Sequence, residues 1–312
     1  MATLICGSLA YDNIMTFQGR FRDHILPEQV HILNVSFLVP TMRREFGGCA
    51  GNIAYALNLL GGDARIMAAL GSLDAQPYLD RFESLGLAKD HILVVPDTYS
   101  AQAMITTDLD NNQITAFHPG AMMHSHLNRA DEVSGIKLAI VAPDGYEGMV
   151  QHTERLAAAG VPFVFDPGQG LPLFTGEALR RAIELAKYVA LNDYEAKLVS
   201  NKTGWSIEEI ASRVDALIVT YGENGSHIHH GGGCEVIPAV TPARVVDPTG
   251  CGDAFRGGLL HGIENGMDWA SAGRLASLMG SIKIEHAGPQ TYAPTRDDID
   301  TRFAEAFGYS LR

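Results

Sequence analysis

The chain has 312 residues, a formal charge of −13 and 46% hydrophobic residues, enough for one large α/β domain or two smaller ones. The acidic balance argues against a general binder of nucleic acid or anionic membranes. It leaves nucleotide binding open, because backbone amides and helix ends hold phosphate without net positive charge. Cys6, Cys49, Cys234 and Cys251 show no Cys-x-x-Cys spacing and suggest neither a zinc ribbon nor a disulfide framework. Met1 to Leu9 has no basic region and no apolar run reaches membrane-spanning length, so a reduced, cytoplasmic protein with no membrane partner is expected.

Thr3 to Leu9 reads as a buried first strand with Asp12 at its carboxyl end, where open α/β sheets place ligand groups. Thr16 to Arg44 has no helical period and carries Phe17, Phe21 and Phe37; it is read as a strand-rich lid or a long surface loop. Gly47-Gly48-Cys49-Ala50-Gly51-Asn52 then opens a helix closed by Gly61-Gly62, with Asn52 near its start as a local cap or a ligand group. Ala64–Leu70 and Ile92–Val95 are strand-like, and Pro77–Leu85 is helix-like. Runs 101–108 and 113–117 flank an Asx-rich turn and predict a hairpin. That hairpin is expected to complete the lid and to carry Phe117, as a packing residue or a surface for a planar ligand.

From Leu138 onward, apolar strands (138–142, 161–165, 188–191, 216–220) alternate with helices near 149–159 and 177–186. This rhythm predicts a mostly parallel sheet covered on both faces. Asn192 and Glu195 follow one strand, three residues apart; they suit a capping box or the waters around Mg²⁺. Thr220-Tyr221-Gly222-Glu223-Asn224-Gly225 suits a turn under phosphates or adenosine, or a plain hairpin. His227, His229 and His230 are expected to be exposed hairpin residues, since no Cys or carboxylate falls at ligand spacing beside them; His124 and His126 are read likewise.

The chain is organised around Asp247-Pro248-Thr249-Gly250-Cys251-Gly252-Asp253, which enters an apolar helix. Spaced glycines let N–H groups converge, and the helix adds the positive end of its dipole. A carboxylate beside an anion cradle would repel phosphate, unless it takes a proton from a hydroxyl while the cradle holds charge on a phosphoryl group in flight. A capped helix with Asp in its first turn is the simpler reading. Helices at about 268–286 and 296–307 complete the chain.

In this order, Asp12, Gly47-Gly48-x-x-Gly51-Asn52, Asn192-x-x-Glu195, Thr220-x-Gly222-x-x-Gly225 and Asp247 to Asp253 resemble the ribokinase-like (PfkB-type) sugar and nucleoside kinases. Gly19-Arg20-Phe21, Leu26-Pro27-Glu28, 35–39, 119–122 and 202–206 are similar to bacterial adenosine kinases. There is no Gly-x-x-x-x-Gly-Lys-[Ser/Thr] motif, which disfavours a P-loop kinase. The resemblance implies a single three-layer α/β/α domain over 1–312, with a small β-rich lid from about 14–45 and 98–120. It implies transfer of the γ-phosphoryl group of ATP to the 5′-hydroxyl of adenosine, or of another ribosyl compound such as ribose, inosine or guanosine. Asp253 would be the base, with N–H groups of Gly250, Cys251 and Gly252 as the anion hole. Asp12 would hold the ribose hydroxyls beside Ser8, Gly48 and Asn52, while Ser36 and Gln169 read the base and Phe117 packs on it.

Thr220, Gly222 and Gly225 would border ATP, with Asn192 and Glu195 ordering Mg²⁺. A monovalent cation, usually K⁺ in the family, would use Asp247 and backbone oxygens near Thr249, Lys283, His286, Gly288 and Tyr292. Two departures stand out: Cys251 replaces the usual Ala, and Ala103 stands where a second stacking aromatic is expected. A nucleoside-binding regulator without turnover is the rival of another class, and a third reading has exposed lid strands pair two copies as a homodimer, a role that can coexist with catalysis.

Overall fold

Strands rich in Val, Ile, Leu and Ala must bury both faces, and the chain supplies helices to cover them. The computed structural model describes residues 2–25 and 34–311; the Leu26-Pro27-Glu28 stretch and the matching part of segment 14–45 lie outside the described residues. The first half contains β1 (Ala2–Cys6), β2 (Ala10–Thr16), β3 (Thr41–Gly47), α1 (Cys49–Leu59), β4 (Ala64–Gly71), α2 (Gln76–Ser84), β5 (Ile92–Val95), β6 (Ala101–Thr107) and β7 (Gln113–His118). The second contains β8 (Ile136–Val141), α3 (Tyr146–Ala158), β9 (Phe163–Phe165), α4 (Gly176–Leu185), β10 (Tyr188–Asn192), α5 (Asp193–Thr203), α6 (Ile207–Ala211), β11 (Ala216–Thr220), β12 (Ser226–His230), β13 (Gly233–Ile237), α7 (Cys251–Glu264), α8 (Trp269–Ile284) and α9 (Arg296–Phe307).

Among the described residues the large sheet runs β13-β12-β11-β10-β9-β8-β1-β4-β5. It is parallel from β11 to β5 and ends in the antiparallel β12 and β13. Alternation along each strand sends side chains to two cores. Ile5, Ile66, Ile140 and Ile218 meet α1, α2 and α7, while Leu4, Val141, Leu191 and Val219 meet α3 to α6. A third cluster joins the outer sides of α1, α7 and α8 to α9. The result is three layers, α/β/α, as the resemblance implies.

The small sheet has the order β3-β2-β6-β7. Its register puts Glu45, Asp12, Ala103 and Phe117 in one row, and paired residues share a face. Two expectations shift here. The first strand stops at Cys6 rather than Leu9, because Gly7 and Ser8 turn under α1: a Cβ at Gly7 would stand 3.1 Å from the Ala142 Cβ, and the Ser8 carbonyl accepts from the Ala50 N–H at 3.0 Å. Asp12 therefore sits inside β2 of the small sheet, not at the end of β1.

Helix α7 packs on α1 and α8 through a small-residue face. A Cβ at Gly257 would lie 2.5 Å from the Ala56 Cβ, and one at Gly258 would lie 2.8 Å from the Ala276 Cα. Backbone cannot yield as a side-chain tip can, so Gly258→Val should cost about 1–3 kcal/mol, the usual range for overpacking. Gly233→Ala, with only the His230 carbonyl within 4 Å, should stay within about 0.5 kcal/mol. Urea unfolding of both variants measures the difference.

Candidate active site

Two helix starts meet at the carboxyl ends of the parallel strands. Gly48 (φ 86°) precedes α1, where a Cβ would press on the Ser8 carbonyl at 2.6 Å. Gly250 (φ 80°) precedes α7. The close approach at Gly257 lets α1 reach α7, and Asn52 Nδ2 donates to Asp253 Oδ2 at 2.8 Å. Asn52 Oδ1 accepts from Gln290 Nε2 at 3.0 Å, which also donates to Tyr78 Oη at 3.0 Å. The Tyr78 hydroxyl in turn donates to the Gly47 carbonyl at 2.6 Å. Gly51 must be glycine for this chain to close, since a Cβ there would sit 2.3 Å from Tyr78 Oη. Gly47 lies against Asp12, whose Oδ2 would be 2.5 Å from a Cβ at that position. One largely buried chain of hydrogen bonds therefore joins Asp253 on α7 to the strand beside Asp12.

Asp253 opens a cleft of about 440 Å³, together with Gly250, Gly252, Cys49, Asp166, Gln169, Asn192, Glu195, Thr220, Gly222 and Arg256. A second, more apolar hollow of about 480 Å³ shares Thr220, Gly222, Gly252 and Arg256 and continues past Gly225, Val240, Pro242, Phe255 and Ile284. In the turn, the Cys251 N–H donates to the Pro248 carbonyl at 3.1 Å. It is thus already engaged, while the Gly250 and Gly252 N–H groups find no carbonyl acceptor in the turn, as helix starts leave them. Arg256, one turn past Asp253, is buried and forks onto Asp166 at 2.9 and 3.4 Å. This pair escaped the sequence reading. A charge on the otherwise apolar face of α7 was the available signal.

Asn192 and Glu195 form a complete capping box on α5: Asn192 Oδ1 accepts from the Glu195 N–H, and Glu195 Oε2 accepts from the Asn192 N–H, both at 2.7 Å. Both still border the cleft. Ser8 Oγ accepts from the Cys49 N–H at 3.2 Å, so Ser8 holds the start of α1. Ser36 is exposed on the connection before β3 and lines neither hollow. Phe117 is 54% exposed on the same face of the small sheet as Asp12, and small Ala103 stands between them.

The site is electrostatically loaded. Burial above all, then the charges of Asp253, Glu45 and Asp247, push Asp12 up to about 6. Burial also raises Asp253 to about 6; Asp166 adds to this, while the Asn52 amide and Arg256 oppose it. The third position of a helix favours a carboxylate, but enclosure is the larger effect here. Glu195 is raised by burial and then by Asp166. Burial pushes the Cys251 thiol to about 11, so it is neutral near pH 7 rather than a reactive thiolate. Carboxylates held above their usual range by enclosure and by one another fit a Mg²⁺ held through Glu195 and water, since that ion keeps much of its shell.

The carbonyl set that the resemblance gives to K⁺ is a different case. Lys283, fully buried, donates its Nζ to the Asp247 carbonyl at 2.7 Å and the His286 carbonyl at 3.3 Å. The Tyr292 carbonyl accepts from the Tyr55 hydroxyl. The Asp247 carboxylate accepts from the Thr249 and Gly288 N–H groups, both at 2.9 Å. An ammonium of the chain itself takes two of the expected ligand oxygens, those of Asp247 and His286, and a hydroxyl takes a third, so these residues do not fit a free monovalent cation in this arrangement.

A three-layer fold with a glycine-led helix start, a carboxylate in its first turn lining a cleft and a separate four-stranded sheet defines a ribokinase-like architecture. The chain belongs to the pfkB family of carbohydrate kinases, whose model matches residues 12–296. It is similar to the nucleoside kinase of Methanocaldococcus jannaschii, 32% identical over 272 residues that cover 86% of this chain and 89% of that protein. Among solved structures it is similar to Burkholderia thailandensis nucleoside kinase in complex with inosine, at 74% identity and TM-score 0.90 over 99% of both chains. The ADP-inosine complex of the same protein is 76% identical, with TM-score 0.88 over 99% of this chain and 97% of that one. No helix among the described residues is long and apolar enough to cross a membrane.

Asp12 and Asp253 are raised to about 6 from the usual 3.8, so the stability they allow when protonated is full below about pH 4 and lost as pH rises through about 6. Asp12→Asn and Asp253→Asn should therefore be more stable than the parent near pH 7.5. The gain should vanish towards pH 4 in urea melts. For Lys283, exchanging K⁺ for choline should leave the melting temperature and nucleotide binding of the parent unchanged, whereas Lys283→Met should lose stability and recover it in K⁺ but not in choline.

Proposed function

We propose that this chain transfers the γ-phosphoryl group of ATP to the 5′-hydroxyl of a nucleoside. The observation that carries the reading is the pairing of Asp253 with free N–H groups at the start of α7, tied by one hydrogen-bond chain to the strand beside Asp12. Asp253 accepts the hydroxyl proton. Its pKa near 6 leaves it mostly ionised at neutral pH yet a better base than an exposed carboxylate. The Gly250 and Gly252 N–H groups meet the charge on the transferring phosphoryl oxygens, and Arg256 lies beside the path with its charge held by Asp166. Mg²⁺ at Glu195 would neutralise phosphate charge. The apolar hollow beyond Thr220 and Gly222 suits the purine of the nucleotide.

For the acceptor, Asp12 would take the ribose hydroxyls and Phe117, exposed in the same row, would stack on a base. The small Ala103 stands between them in the row. The inosine complex of the Burkholderia relative supports a nucleoside acceptor in general over adenosine in particular. Gln169 at the cleft is the candidate to read the base. Ser36 contributes only if the small sheet closes.

A coupled ADP-release assay over inosine, adenosine, guanosine and ribose tests the reading. Turnover with nucleosides and little with ribose is expected. Activity confined to ribose would make it a sugar kinase, and nucleoside binding without ADP formation would make it a binding protein. Asp253→Asn should lower kcat by roughly 10²–10⁴, the range for loss of a general base, with nucleoside affinity largely kept. Parent turnover should fall as pH drops through about 6, the value near which Asp253 takes up its proton.

A further inference from the structure

Away from the cleft, the outer end of the large sheet gathers a separate set of donor groups. His227 and His229 alternate onto one face of β12. Antiparallel pairing with β13 stands Cys234 directly opposite His229 and Val236 opposite His227. One donor atom from each of His227, His229 and Cys234 lies within 4.8 Å of the other two. Sequence spacing does not show this, because the cysteine arrives across the hairpin. A second observation marks the spot as unfinished: His229 Nε2 is covered by neighbouring atoms and has no hydrogen-bond partner. Cys234 is in no disulfide and is exposed, and its thiol makes only a long contact of 4.0 Å to the Glu235 carbonyl.

Two imidazoles and a thiolate suit a borderline or soft cation such as Zn²⁺. They do not suit Mg²⁺, which takes oxygen. We propose that His227, His229 and Cys234 form a binding site for a thiophilic divalent cation, with Zn²⁺ as its representative. Binding forms two Zn–N bonds and one Zn–S bond; the Cys234 S–H bond breaks and one proton passes to solvent. Water fills the fourth position. With Zn–N and Zn–S bonds of about 2.0–2.3 Å, tetrahedral donors stand about 3.4–3.6 Å apart, so rotation about the side-chain bonds of this half-exposed cluster closes the set.

The site has two structural consequences. It staples β13, the edge strand, to β12. It also bears on Tyr221, whose ring centre lies 4.7 Å from that of His227 and whose chain neighbours Thr220 and Gly222 border the nucleotide-side cleft.

The test is a titration of the metal-free full chain with Co²⁺ alone, without nucleotide or nucleoside, so its outcome is independent of the kinase reading. Expected are a thiolate-to-Co²⁺ charge-transfer band and tetrahedral visible bands saturating at about one ion per chain. Zn²⁺ should displace them. Zn²⁺ should also raise the melting temperature of the parent but not of Cys234→Ser or His229→Gln, and both variants should lack the thiolate band. Absence of that band in the parent would overturn the proposal. So would its survival in Cys234→Ser, which would place the ion on Cys49 or Cys251 instead.

Discussion

Everything at the cleft depends on how closely α1 and α7 approach. Where they cross, Gly257 faces Ala56, and a single methyl group would hold the helices apart. Because they touch, Asn52 reaches Asp253, and the hydrogen bonds continue through Gln290 and Tyr78 to Gly47. These polar groups are enclosed, and each link satisfies a donor that would otherwise be costly to bury. Rigidity follows from that cost: breaking one link strands its neighbours. Asp253 is thereby fixed relative to the small sheet that carries Asp12, although one lies at the start of α7, the other in β2, far apart in sequence.

That geometry concentrates negative charge where the chain offers little to oppose it. Asp12, Asp253 and Glu195 are all raised by enclosure and by neighbouring carboxylates, while Arg256 is committed to Asp166. Such a site is costly to the folded state, and under the proposed function it would be relieved by hydroxyl donors at Asp12 and a hydrated divalent cation at Glu195. A stability–function compromise of this kind is common where binding groups are preorganised. Around the Asp247 turn the balance is struck differently. A lysine reaches in from α8 and supplies the positive charge from within the chain.

The motifs for phosphoryl transfer were readable because they are local. A glycine before a helix, an Asp in its first turn and an Asn three residues before a Glu are patterns of adjacent residues, and local backbone geometry gives each its meaning. Their readings were sometimes double, and the capping reading is the one visible in the hydrogen bonds. Asn192 and Glu195 make the capping box and still face the cleft. Asp166–Arg256, Gln290 and Tyr78 were not legible in their roles, because each depends on a partner 90 or more residues away.

By itself the sequence determined the alternation of buried strands and helices, the mostly parallel sheet, and the glycine-led helix start at 250–253 with its carboxylate, since all follow from hydrophobic period and the conformational needs of neighbouring residues. Only the tertiary structure decided that Asp12 belongs to the small sheet, that Lys283 fills the carbonyl set near Asp247, and that Cys234 meets two histidines. The physical reason is the same in each case. Strand register and helix approach are set by packing across the whole core, and a register is a relation between segments that no single segment contains.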